Sequence, residues 1–113
     1  MKRLIFVTLI FFCDSVLSAQ YEVTTTIKSL FMGPHYNNKV FIEVESRPTT
    51  ERPEGCTDNA SFDFVIDLST EYGKAYYSAA LAAYASNSTV RLESYDSCTV
   101  YSSVPGVKTI WLK

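Results

Sequence analysis

At 113 residues, with 12 acidic against 10 basic side chains and a formal charge of −2, the chain has room for one domain and no surplus of cations for a polyanion. One histidine and three cysteines, without a Cys-x-x-Cys pair, leave no His/Cys cluster to hold zinc.

The N-terminus reads as a secretory signal peptide over residues 1–19. Met1-Lys2-Arg3 is a short basic head, and Leu4 to Phe12 is an apolar run too short to span a membrane, ended by Asp14. Ser18 and Ala19 place cleavage before Gln20, within one residue because Leu17 is bulky. Cys13 leaves with the signal. The formal charge then moves from −2 to −3, because two cations and one anion depart. The remaining domain, residues 20–113, keeps Cys56 and Cys98, and only one pairing is open to them. Closing a loop of about forty residues stabilises a small exported domain by roughly 3–4 kcal/mol in the chain-entropy account.

Five strands and one helix are predicted. Tyr21–Phe31 opens the domain with Val23, Ile27 and Phe31 on one side, and Gly33-Pro34 stops it. Lys39–Glu45 alternates, with Val40, Ile42 and Val44 inward. Residues 46–57, rich in proline, glycine and charge, form a loop. Ser61–Asp67 alternates again, with Phe62, Phe64 and Ile66 inward and Asp63 and Asp67 on a solvated face. Ser69 is the expected N-cap of a helix from Tyr72 to Ser86, and Asn87 suits its left-handed end. Thr89–Ser94 and Val107–Leu112 complete the set. The order β-β-β-α-β-β is that of an OB-fold, a five-stranded, partly open barrel. A ferredoxin-like sandwich would need a second helix, for which there is no room.

Gly55-Cys56, Phe62 to Asp67, the helix motif from Tyr77 to Val90, Cys98 and the closing strand Val107 to Leu112 together resemble a group of small exported bacterial proteins. That group is described as like the B subunit of subtilase cytotoxin. Asn87 stands where the group has glycine, and Ser88-Thr89 departs from its pattern. The resemblance spans the last sixty residues or so; the first third matches in strand pattern alone. It implies an OB-fold with a Cys56–Cys98 disulfide and, as in toxin B subunits, a ring of five that binds host glycans beside a catalytic A subunit. No glycan-binding residue carries over by motif.

The residues themselves suggest a binding module and not an enzyme. No catalytic constellation, phosphate loop or cofactor motif appears, and nucleic acid is excluded by the lack of a basic stripe. In an OB-fold the loops after strands one and four complete the binding face. Here they offer Tyr36, Asn37 and Asn38, and Tyr95, Asp96 and Tyr101, whose rings, amides and carboxylate suit a carbohydrate. Turn chemistry alone would also select such residues. The helix is apolar nearly all round towards its C-terminal end, so Tyr76, Ala79, Ala82 and Ala83 are expected at a contact with another copy of the chain. The reading is therefore a secreted or periplasmic glycan-binding module without a membrane span after signal removal. The alternative is a periplasmic envelope or stress-related OB-fold protein that acts through protein contacts.

Overall fold

The computed structural model describes residues 21–57 and 59–113. The predicted signal peptide and Cys13 lie outside the described residues.

The chain forms β1 (Glu22–Met32), a 3-10 turn (Pro34–Tyr36), β2 (Lys39–Val44), β3 (Phe64–Asp67), α1 (Glu71–Ser86), β4 (Thr89–Ser94) and β5 (Val107–Leu112). The strands make one antiparallel sheet in the order β3-β2-β1-β4-β5, so the order across the sheet differs from the order along the chain. β1 is the hinge. Its first half, Glu22 to Thr26, pairs with β4, and its second half, from Ile27, pairs with β2. An irregularity between Ile27 and Ser29 marks the change of partner and resets the alternation. Ile27 and Leu30 therefore pack on the main core, while Phe31, expected beside Ile27, joins the opposite face.

The expected barrel is not closed. β3 and β5 remain the edges of an open sheet, linked by one parallel bridge from Val65 to Gly106. There the Val65 amide donates to the Pro105 carbonyl at 3.0 Å, and proline has no amide to extend a ladder. β3 is also shorter than expected. The Asn59 Oδ1 accepts from the amides of Ser61 and Phe62 at 2.9 and 3.0 Å, which holds those residues in a turn.

The helix cap lies one residue later than expected, and the helix itself starts at Glu71, one residue before the expected Tyr72. Thr70, not Ser69, is the N-cap, and its hydroxyl accepts from the Gly73 amide at 2.8 Å. Ser69 instead donates both its amide and its hydroxyl to Asp67. Asn87 closes the helix in the left-handed region at φ 52°, as its side chain type suggests. Gly73 allows the start of α1 to press on the end of β3, because a Cβ there would run into the Asp67 carbonyl.

Two apolar layers result. On the helix side, Ala80 and Ala83 pack with Ile27, Val40, Ile42, Val44, Phe64, Ile66, Val90 and Leu92. Burying a large aliphatic or phenyl side chain contributes roughly 1.5–3 kcal/mol, so this layer carries the fold. On the far side, Phe41, Val65 and Val104 form a second cluster under Tyr36, Phe62 and Tyr101. β2 and β3 are thus buried on both faces. Cys56 and Cys98 form a disulfide with a Cα–Cα distance of 5.3 Å, tying the loop before β3 to the loop after β4.

Candidate functional site

Two polar centres flank β3, and they differ in whether arginines pair with their carboxylates. The first is built on Asp63, expected on a solvated face but wholly buried. Its Oδ2 accepts the Val44 amide at 3.1 Å, and its Oδ1 accepts Arg47 Nε at 2.6 Å with Arg52 Nη2 at 3.9 Å. Arg52 also donates to the carbonyls of Asn59 at 2.8 Å, Phe62 at 2.6 Å and Ser103. Its guanidinium lies 5.8 Å from the Tyr21 ring centre. The hydrogen bond to Asp63 raises the Arg47 pKa, and burial raises that of the Tyr21 phenol. This centre anchors the long loop between β2 and β3, whose described residues form no strand, and both arginines bond within the chain.

The second centre lies at the opposite end of β3, where the first turn of α1 faces the loop after β4. A cavity of about 500 Å³ opens there. Tyr72, Tyr76 and Tyr95 supply its aromatic wall, and Asp67, Thr70, Asp96, Ser97 and Thr99 its polar rim. Helical spacing aligns Tyr72 and Tyr76, whose ring centres are 6.3 Å apart. The Tyr76 hydroxyl donates to the Lys108 carbonyl at 2.7 Å, which fixes that ring against β5. Burial, then the neighbouring Tyr95 and Tyr72, raise the Tyr76 pKa, so it remains a neutral phenol. Tyr72 is 75% exposed and Tyr95 44%, so both rings present a free face.

The carboxylates have distinct settings. Asp67 accepts Ser69 Oγ at 2.6 Å and the Ser69 amide at 2.9 Å, both on Oδ1. These bonds, and to a lesser degree Lys39 across the β2–β3 ladder, hold its pKa below the ordinary aspartate value. Asp96 is exposed on the loop. Among the described residues, no lysine, arginine or histidine lines the cavity. Nor does any group of three His, Cys, Asp or Glu side chains among them suit a metal ion. The arrangement offers ring faces for stacking and oxygen atoms for accepting hydrogen bonds.

The six residues proposed for glycan contact fall into three places. Tyr95 and Asp96 line the cavity. Tyr36 and Tyr101 both pack edge-on against Phe41, at 5.1 and 4.8 Å between ring centres, within the second apolar cluster. Asn37 and Asn38, at φ 48° and 61°, line a shallower hollow of about 420 Å³ with Met32, Pro34, Lys39 and Leu68. The pattern missed Asp67, Thr70 and Tyr72 as cavity residues. Its one usable signal was a tyrosine pair four apart at a helix start, directly after a strand ending in aspartate.

The proposed interface residues separate too. Ala83 is fully buried within the chain because it faces the sheet, and Ala79 is half-buried. Tyr76 lines the cavity, and Ala82 is exposed beside Leu81, Tyr84 and Ala85. No described helix is long and apolar enough to cross a membrane. No family model, curated protein or solved structure matches this chain.

Proposed function

We propose that this chain is an exported, non-catalytic module that binds glycans in the cavity between α1 and the loop after β4. The observation that carries the reading is the set of three tyrosines around a polar rim, Tyr72, Tyr76 and Tyr95. Aromatic rings stack on the apolar faces of sugars, while carboxylates and hydroxyls bond the sugar hydroxyls. The position after strand four is where OB-folds complete a ligand face. The parallel bridge from Val65 of β3 to Gly106, just before β5, supports the view that this sheet is an OB barrel left ajar. The export reading rests on the N-terminal pattern and on the disulfide. The kinship with toxin B subunits rests on the residues that carry that resemblance.

A single sugar exchanges bonds to water for bonds to protein at a net gain of about 1 kcal/mol each, so one site binds weakly. Several copies on one assembly raise the effective concentration. Leu81, Ala82, Tyr84 and Ala85, exposed along one side of α1, support self-association through that side. The test is a glycan array with the wild type, Tyr72→Ala and Tyr95→Ala. Both variants lose glycan binding with little change in Tm, because both rings are exposed. A folded wild type that binds no glycan overturns the proposal.

A second reading is an envelope protein that acts through protein contacts, favoured by the exposed Trp111 and Leu112 on the edge strand β5. Sedimentation of the wild type and of Ala82→Glu bears on the helix. Dispersal of an oligomer by the variant supports a contact between copies, and a monomeric wild type removes it.

A further inference from the structure

Resting on the glycan reading above, we infer that the cavity selects sugars bearing a free, protonated amino group. This cavity sets Tyr72, Tyr76 and Tyr95, two carboxylates and the hydroxyls of Thr70, Ser97 and Thr99 around Val65, Val100 and Val107, with no cationic side chain among the described residues that line it. A cation is drawn to such a place twice, by the negative faces of the rings and by the carboxylates.

The three rings come from two elements, Tyr72 and Tyr76 from α1 and Tyr95 from the loop after β4, so they enclose the cavity from two sides. Asp67 and Asp96 divide in the same way between the end of β3 and that loop. Ser69 engages one oxygen of Asp67 only, and those bonds keep the carboxylate ionised into acid. Lys39 is the charged group facing Asp67 from β2, and its ammonium lies 3.4 Å from the Asn37 carbonyl, on the side of the shallower hollow. The cavity thus holds two anionic groups and no cation of its own. An acidic sugar would meet repulsion there, and an N-acetylated one would lose the charge.

Calorimetric titration at about pH 6, where a sugar amine is protonated, separates the cases. The probes are a glucosamine oligomer, its fully N-acetylated counterpart and a galacturonate oligomer. The glucosamine oligomer binds about tenfold more tightly than the acetylated one, in keeping with one cation held by rings and carboxylates. That advantage shrinks as salt rises, because the contributing carboxylates are partly exposed. Asp96→Asn reduces the preference for the amine with no loss in Tm, and Asp96→Glu restores it. Equal affinity for amine and acetamide, or tighter binding of the galacturonate oligomer, overturns the inference while leaving a glycan-binding module in place. Failure of all three probes, together with an empty broad array, overturns both readings.

Discussion

The two polar centres beside β3 are both built on aspartate and tyrosine, but only the first holds arginine. Around Asp63, a buried carboxylate meets one half-exposed and one largely buried arginine, and both arginines reach a carbonyl or carboxylate of the same chain. Around Asp67 and Asp96, carboxylates and tyrosines face a cavity with no arginine or lysine side chain in its lining. A buried charge persists because its partners are internal, and removing one partner exposes the full cost of desolvation. A carboxylate that stays partly exposed, as Asp67 and Asp96 do, costs little to keep without an arginine partner. The first centre belongs to stability, and the second is the one the proposed function assigns to recognition.

The largest expected effect follows from the first centre. Asp63→Ala leaves Arg47, Arg52 and the Val44 amide without their shared acceptor, and it costs about 3–5 kcal/mol. That is a large share of the stability of a domain this size, so urea unfolding should show a folded fraction greatly reduced. A midpoint close to the wild type would show that the cluster is not the anchor of residues 46–62. Asp96→Asn is the opposing case, with a stability change within about 0.5 kcal/mol.

Next comes the disulfide, which joins the loop carrying Arg52 to the loop carrying Tyr95 and Asp96. Replacing Cys56 and Cys98 together with serine should lower stability by about 2–4 kcal/mol. It should also weaken ligand binding beyond the loss of folded protein, because the loop forms one wall of the cavity. Denaturation curves and titrations of the folded variant separate the two effects. A binding constant unchanged in the folded fraction would show that the cavity wall is held without the bridge.

The helix start offers a smaller and sharper comparison. Thr70→Ala removes the acceptor of the Gly73 amide and costs about 1 kcal/mol. Ser69→Ala leaves that bond intact and acts on Asp67 instead. A larger loss in Ser69→Ala than in Thr70→Ala, read by thermal melts, would reverse the assignment of the cap.

The smallest effect is one of pH. The Asp67 pKa is lowered in the folded chain, first by the Ser69 hydroxyl, so the carboxylate contributes stability above the unfolded aspartate pKa. That contribution is lost as pH falls below that value and through the folded one. Asp67→Asn should therefore flatten the acid limb of the stability curve while leaving its alkaline side unchanged. An acid limb of the same steepness in both proteins would show that other carboxylates govern it.

Much of the fold was legible because it depends on local chemistry. Val40, Ile42 and Val44 alternate with polar neighbours, so β2 could be read from a period of two. The alanine-rich run and Asn87 gave the helix and its end, and the two cysteines left after the predicted signal peptide gave the bridge. The site was less legible. Tyr95 and Asp96 stood out in a polar loop, but Tyr72 and Asp67 looked like an ordinary helix stripe and strand face.

What the sequence determined by itself was therefore the elements, their order along the chain and the pairing of Cys56 with Cys98. Tertiary structure decided the rest, because it depends on which distant groups meet. The irregularity after Ile27 turned Phe31 away from the main core, and two arginines from a remote loop made Asp63 an interior residue. The turn at Asn59 shortened β3, and Pro105 ended its bridge to β5, so the barrel stayed open. Alternation cannot distinguish a solvated aspartate from one facing two guanidiniums, since both occupy the same phase of a strand. Only the packed chain supplies the partners that tell Asp63 from Asp67.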